Sequence, residues 1–381
     1  LFGYDDFGAK VVCEAKDFRS DHLPEAYQKM DRYIQFALSA GQQAVEDAGL
    51  EKKHLSDAGV VLATAICGTQ TLDREFVKVT SMGQTAIRPE EVDPNLYAAA
   101  MGNAAALALA EHYHTGGECI TLSTGCIAGV DAISYAFDSI AYGDHDVILA
   151  GATEAPVTPI TIAAFDIINC LSHYQNYPTQ ASRPFCTSRD GFVLSEGCGI
   201  VVLEELEHAL ARHATIYAEL TGWAVAEHAE HMTDMSTNGH DLARTMVGAL
   251  ESSRIAAGDV DYVNAHGTST PQNDIRETQA IRAALGDRAY EIPVNSTKSM
   301  LGHALAAASA MEVVACAISL QTQQIHPTIN YTDPDPACDL DYVPRSRQCE
   351  MEYLLTNASG FSGLHAVLAM KRYQLDGEGA N

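Results

Sequence analysis

A cysteine stands in the stretch STGCIAGVD, residues 123–131. Cys126 follows the apolar run CITLS and opens a helical pattern, so its thiol sits where a helix begins. A helix N-terminus offers free N–H groups and about half a unit of positive charge. Both favour a thiolate. Gly125 on one side and Ala128 and Gly129 on the other let a substrate carbonyl approach the backbone. Such a turn is either a packed corner around a small thiol or the seat of a nucleophile. Two histidines bear on that choice. His266 ends the run DYVNAH ahead of a Gly-Thr-Ser-Thr loop, and His303 follows the run IPVNSTK at a helix start. Parallel sheets collect their reactive groups at the carboxyl ends of strands. Cys126, His266 and His303 all occupy that kind of position, which argues for a site. Lys298 and Glu312 are charges in small or apolar surroundings, and a buried charge has to be paired. Thr268 and Thr270 carry hydroxyls in the loop after His266, where the ordinary role is to close the turn.

The elements that must position these residues follow from the hydrophobic pattern. AGVVLATAI (58–66), CITLS (119–123) and DVILAGAT (146–153) read as buried strands. Between the last two, Ile127, Val130, Ile133, Phe137 and Ile140 recur at helical spacing and predict a buried helix face. Strand, helix and strand with short joins make a βαβ unit and a covered parallel sheet. Further along, GIVVLEEL (199–206), DYVNAH (261–266), IPVNSTK (292–298), EYLLTNAS (352–359) and LHAVLAMKR (364–372) predict strands. DLARTMVGALESSRI (241–255) and GHALAAASAMEVVACAISLQTQ (302–323) predict helices, and NLYAAAMGNAAALALA (95–110) a closely packed core helix. The polar stretch AEHAEHMTDMSTNGH (226–240) is the expected junction, dividing the chain into halves 1–225 and 226–381.

Composition narrows the classes. A chain of 381 residues, 47% hydrophobic, exceeds the usual single core, so two cores or fused halves are expected. The net charge of −27 argues against nucleic acid or an anionic membrane as partner. The ten cysteines form no C-x-x-C pair, so no zinc or redox motif is expected, and a reducing cytoplasm suits them. The run 95–110 is too short to span a bilayer, which takes ~20 residues. The chain opens on Leu1 rather than Met, so its natural N-terminus is expected upstream.

Several motifs in chain order carry a resemblance: STGCIAGVDA, SRPFCTSRDGFVLSEGCGIVVLEE (182–205), VNAHGTSTPQND (263–274), NSTKSMLGHALAAASAME (295–312) and TNASGFSGLHAVLAM (356–370). With these the chain resembles the condensing enzymes, the β-ketoacyl synthases of the thiolase-like superfamily, from about residue 5 to 373. STGCIAGVD and GATEAPVTPITIAAFD (151–166) look most like the ketosynthase alpha subunit of type II polyketide synthases. The resemblance implies a thiolase-like α/β fold of two similar halves in α/β/α/β/α layers, Cys126 in the first half and both histidines in the second. It implies a decarboxylative Claisen condensation. Cys126 would hold an acyl chain as a thioester, and His266 and His303 would steady the enolate of a malonyl thioester. The backbone N–H groups of Cys126 and Phe361 would face the oxyanion. Lys298 and Glu312 would support His303, paired with each other, and Thr268 and Thr270 would bond a pantetheine arm.

Phe361 matches the family's mobile loop at the pocket mouth, with Ser362 where a further Gly is usual. No bound cofactor or metal is implied; the substrates ride on the phosphopantetheine of an acyl carrier protein. The expected partners are that carrier, met through a local Lys/Arg patch, and a chain-length-factor subunit or a second copy. The product is an aromatic or a polyene. Alternative readings are a homodimeric fatty-acid elongating ketosynthase, a chain-length-factor-like subunit and a non-catalytic carrier-binding scaffold. Cys126 with both histidines weighs against the chain-length-factor-like subunit. A thiolase would need a second catalytic cysteine near the C-terminus, and Cys349 lies outside the Gly-containing SGFSG segment. Family members carry a strand and helix ahead of the segment matching LFGYDDFGAK, so the sequence reads as part of a longer protein.

Overall fold

The computed structural model describes residues 7–374, so the opening of LFGYDDFGAK lies outside the described residues. The chain forms two compact units that interleave in sequence. The first comprises Leu1–Gln175, Val193–His208 and His303–Met311; the second comprises Asn176–Phe192, Ala209–Gly302 and Glu312–Asn381. Compactness therefore groups the His303 segment with the first unit.

In the first unit the elements are α1 (Arg32–Asp47), β1 (Gly59–Ala63), α2 (Ala104–Tyr113), β2 (Cys119–Leu122), α3 (Ala128–Ala141), β3 (Val147–Glu154) and β4 (Gly197–Glu204). They build a four-stranded sheet in the order β2-β1-β3-β4. β1 runs parallel to β2 and β3, and β4 runs antiparallel to β3. Parallel strands are covered on both faces, and every residue of β1 and β3 is accordingly buried. α1 starts where the Asp31 carboxylate accepts the Tyr33 N–H at 3.2 Å.

The second unit holds β5 (Ala218–Ala226), α4 (His240–Ser253), β6 (Val260–Asn264), α5 (Pro271–Leu285), β7 (Val294–Asn295), the later turns of α6 (Ala306–Thr322), β8 (Tyr353–Ser359) and β9 (His365–Arg372). Its five-stranded sheet runs β7-β6-β8-β9-β5. β6 is parallel to β7 and β8, while β9 is antiparallel to β8 and β5. The order and direction of β7-β6-β8-β9 repeat those of β2-β1-β3-β4, and β5 is a fifth strand added at the edge. Hydrophobic cores fill each copy separately.

Three elements differ from the sequence expectation. The run 95–110 is not one helix but two, Leu96–Ala100 and Ala104–Tyr113, because the chain leaves helical geometry at Met101, just ahead of Gly102. IPVNSTK pairs as strand only at Val294–Asn295. Its side chains explain the early end: Asn295 bonds Tyr262 at 2.6 Å and Ser296 donates to the Gly267 carbonyl at 2.7 Å. On α3, Ile127, Val130 and Ile133 are buried as expected, but Phe137 and Ile140 are only half-buried, and Ala132, Ser134 and Ala136 take the inner positions.

Candidate active site

In the first unit Cys126 lies in a single 3-10 turn, Gly125–Ile127, which feeds directly into α3. Gly125 takes φ +68, a left-handed angle that favours glycine. The Thr124 hydroxyl donates to the Asp131 carboxylate one helical segment later, which closes a side-chain strap around the cysteine. The thiol is half-buried. Gly129 has a different task. A Cβ there would stand 2.6 Å from the Ala310 nitrogen and 2.8 Å from the Ala306 carbonyl, so its absence lets α3 touch the first turns of α6. The Ser309 hydroxyl accepts the Val130 N–H at 3.3 Å across this contact.

His303 belongs to the same unit and is 3% exposed. It precedes α6 rather than starting it. Its N–H donates to the Val193 carbonyl at 2.8 Å, and its carbonyl accepts the Ser195 N–H at 3.0 Å. Two residues were not read from the sequence. Cys170 is a buried thiol pushed up to about 12, first by burial and then by the charge of Cys126. Glu154 ends β3 with no exposed surface. A hydrophobic strand ending in a carboxylate was the available signal for it.

In the second unit His266 follows β6 and is 3% exposed. Glu277 on α5 accepts its N–H at 2.6 Å and that of Gly267 at 2.7 Å. The same carboxylate takes the amides of Asn357 at 2.5 Å and Asn273 at 3.1 Å. Burial pushes Glu277 up and these donors hold it down. The ring is set by Lys298, whose Nζ meets His266 Nδ1 at 3.1 Å and donates to Glu312 Oε1 at 2.6 Å. Lys298 and Glu312 thus pair as expected, but the ammonium sits on His266, where the family resemblance had set it beside His303. An ammonium has no lone pair to offer, so Nδ1 accepts and Nε2 carries the ring proton. Burial pushes Glu312 up to about 7 against the pull of Lys298.

The loop after His266 is tight. Gly267 takes φ +40, and a Cβ there would lie 2.5 Å from that of Ser296. Thr268 and Thr270 bond each other through their hydroxyls at 2.9 Å, and Thr270 caps α5 by accepting the Asn273 N–H at 3.3 Å. Both hydroxyls therefore carry turn chemistry. Asp274 and Glu277 lie beyond the loop, and their spacing on one face of the following helix is the only sequence signal for them. Phe361 opens a short 3-10 turn, Phe361–Gly363. Ser362, at φ +66, gives its N–H to the Met232 carbonyl at 2.7 Å and its hydroxyl to the same oxygen at 3.2 Å. Gly363 lies flat against the His228 ring, where a Cβ would be 1.9 Å from Cδ2.

The sequence-read residues thus fall into two sets. Cys126 and His303 lie in the first unit; His266, Lys298, Glu312, Thr268, Thr270 and Phe361 lie in the second. Among the described residues no group of acidic, cysteine or histidine side chains forms a metal site, and no helix is long and apolar enough to cross a membrane.

Comparison with known proteins gives matches over most of the chain. The family model described as beta-ketoacyl synthase, N-terminal domain, matches residues 13–209, and that described as beta-ketoacyl synthase, C-terminal domain, matches residues 217–332. The tetracenomycin polyketide synthase ketoacyl synthase alpha subunit of Streptomyces glaucescens is 39% identical over 92% of this chain and 83% of its own. A solved type II PKS acyl-carrier protein in complex with its ketosynthase bound to the hexaketide matches with a TM-score of 0.91 and 39% identity, over 98% of this chain and 91% of that one. The ishigamide ketosynthase/chain length factor matches with a TM-score of 0.89 and 32% identity, over 98% and 90%.

Proposed function

The chain belongs to the beta-ketoacyl synthase family and has its thiolase-like fold, and from that premise we propose that it extends acyl chains in type II polyketide biosynthesis by decarboxylative condensation. Cys126 attacks an acyl thioester on a carrier protein, forming a new thioester and releasing the carrier's thiol. Malonyl carried on a second phosphopantetheine then enters. Breaking its C–C bond releases CO2 and leaves the electron pair as an enolate, whose oxygen takes hydrogen bonds from His266 Nε2 and His303. The carbanion attacks the Cys126 thioester, the tetrahedral oxyanion rests on the N–H groups of Cys126 and Phe361, and its collapse breaks the C–S bond, freeing the Cys126 thiolate and leaving a β-ketoacyl chain on the carrier. Donors of this kind are worth ~3 kcal/mol each. Thiol, imidazoles and amides suffice for this chemistry, so the reading calls for no further cofactor.

The observation that carries the reading is the buried Glu312–Lys298–His266 relay. It pins a neutral imidazole as a donor, which is what a developing enolate needs and a general base does not. The pantetheine role of Thr268 and Thr270 rests on the family alone, with their lengthwise bond as the resting arrangement. The repeated strand order supports two halves, but β5 (Ala218–Ala226) belongs to the second sheet, which moves the division from 225/226 to before Ala218.

Two surfaces of the first unit support the partners. β2 is an edge strand with Cys119 exposed, Tyr135 donates its hydroxyl to Glu118 just ahead of it, and Tyr142 at the end of α3 is 81% exposed. An unpaired edge flanked by aromatic rings suits a second subunit. A groove of about 650 Å³ carries Lys29, Arg32 and Arg74 among Asp31 and Asp93. Arg32 pairs with Glu196 at 2.8 Å and Arg74 with Glu75 at 3.9 Å, so exposed Lys29 and the outer sides of these pairs are what it offers an acidic carrier. We place the reaction in the cytoplasm, which the absence of disulfides among the described cysteines supports.

The test is purification with whatever subunit co-expresses, followed by incubation with acyl- and malonyl-carrier protein. CO2 release and a carrier-bound β-ketoacyl product are expected, together with a chain-length-factor paralogue in the complex. A homodimer giving saturated-chain precursors would favour the fatty-acid alternative. Carrier binding without CO2 release would favour a scaffold.

A further inference from the structure

We propose that His326 is a positioning residue for Lys298, and through it for His266: its ring takes the hydroxyl of Thr297, the residue from which Lys298 extends. His326 follows the short strand Gln324–Ile325 in the second unit and is half-buried. Its Nε2 lies 3.0 Å from Thr297 Oγ1. The same oxygen accepts the Asn264 amide at 3.0 Å. Asn264 ends β6 two residues ahead of His266, and Thr297 directly precedes Lys298. One hydroxyl therefore ties the strand ahead of His266 to the helical turn Lys298–Leu301, whose Lys298 meets the His266 ring.

That hydroxyl departs from the ordinary role of its position. A threonine at the head of a helix normally caps it by accepting a backbone N–H. Thr297 heads Lys298–Leu301 and makes no such bond. A local rule broken without a local gain points to a role elsewhere. Here the bonds close a ring. Asn264 also donates to Asn295 Oδ1 at 3.1 Å, and the Tyr262 hydroxyl donates to the same oxygen at 2.6 Å. Asn295 returns its amide to the His326 carbonyl at 2.7 Å. Thr356 donates to Asn264 Oδ1 at 3.3 Å, which sets the orientation of that amide. Tyr262, Asn264, Asn295 and Thr297 are all buried, so a missing partner would leave a polar group stranded away from water.

The donors fix the state of the imidazole. Asn264 gives an N–H to Thr297, so the Thr297 hydrogen goes to His326 Nε2, which holds a lone pair. Nδ1 lies 3.1 Å from the Pro327 carbonyl and carries the proton. The Asn295 amide also lies 3.2 and 3.4 Å from the two ring nitrogens. Accepting it at Nδ1 would demand the opposite tautomer. That tautomer would set a lone pair against the Pro327 carbonyl and leave the Thr297 hydrogen without an acceptor in the ring. Burial agrees, holding His326 below the ordinary histidine range.

The inference rests on the proposed condensation, in which His266 acts on malonyl and not in loading Cys126. The experiment compares the unaltered protein with His326→Leu, His326→Gln and Thr297→Val in two assays. One is acylation of Cys126 by acyl-carrier protein, read by intact mass; the other is CO2 release from malonyl-carrier protein. His326→Leu removes the acceptor, so it should load Cys126 normally and release CO2 ~10-fold more slowly at saturating substrate, with KM little changed. Glutamine offers an oxygen near the place of Nε2, so His326→Gln should recover most of the release. Thr297→Val should match His326→Leu, and the double variant should fall no further. In protein carrying 15N-labelled histidine, the ring signal lost in His326→Gln should be that of an Nδ1–H tautomer. Undiminished CO2 release in His326→Leu, a glutamine variant as slow as the leucine one, loading and release falling in parallel, or an Nε2–H signal would each overturn the inference. If His326→Leu does not fold, undiminished release in Thr297→Val overturns it alone. An unaltered protein that loads Cys126 but releases no CO2 would instead remove the condensation on which it rests.

Discussion

His266 is where the chemistry is written most plainly. Its ring is held on one side by Lys298 and its backbone by Glu277, so its orientation is built in. Replacing Lys298 with Gln leaves Nδ1 without a cationic donor and frees the tautomer. CO2 release should fall by ~100-fold while loading of Cys126 persists; a stopped assay of each step separates the two. Glu154 makes a second residue-scale prediction, on stability. Its carboxyl lies at about 7 in the folded chain, above its ordinary 4.5. Below 4.5 both folded and unfolded forms are protonated and nothing is lost. Between 4.5 and 7 only the unfolded form ionises, so stability falls as pH rises, by about 3 kcal/mol in all, and stays at that level above neutrality. The melting temperature should therefore decline from pH 5 to pH 8, and Glu154→Gln should show a smaller decline. An equal slope in both proteins would contradict the assignment.

Elements succeed or fail here by close approach. Gly129 lets α3 meet α6, so Gly129→Ala forces a Cβ onto the Ala310 nitrogen and should destabilise the first unit by at least ~2 kcal/mol, visible in a thermal melt. The Phe361 turn gives a gentler case. Ser362→Gly removes the hydroxyl bond to Met232, keeps the N–H bond and frees the backbone of the turn, so the amides of residues 360–364 should exchange hydrogen several-fold faster. Unchanged exchange would show that Ser362 does not restrain the turn. These contacts mark the limit of what the sequence could tell. β1, β3, β6, β8 and β9 were legible as apolar runs that the fold buries, whereas β2, also read as a buried strand, is a half-exposed edge with Cys119 in the open. Cys126, His266 and His303 were legible because glycine-rich turns and strand ends are local features. Glu154 and Glu277 were not, because their importance lies in which backbone amides they meet, and those partners are 88 to 90 and 10 to 11 residues away. The break at Met101 was hidden for a related reason: alanine-rich runs read as one helix unless the backbone is seen to turn.

At the scale of the whole molecule, charge and partners dominate. The chain carries −27 overall and concentrates Lys29 and Arg74 in one groove. Reversing both, Lys29→Glu with Arg74→Glu, should weaken carrier binding by an order of magnitude at low salt and leave acylation by a small-molecule thioester unchanged. Binding that ignores the reversal would move the carrier's dock elsewhere. The central claim, however, concerns a single bond between this chain and its substrate. Its most direct test is intact-protein mass spectrometry of the unaltered chain beside Cys126→Ala, each mixed with acyl-carrier protein. The account predicts one acyl adduct on the unaltered chain, absent from the variant, and lost again with CO2 release when malonyl-carrier protein is added. An adduct that survives in Cys126→Ala, or none on the unaltered chain with any acyl donor, would contradict it.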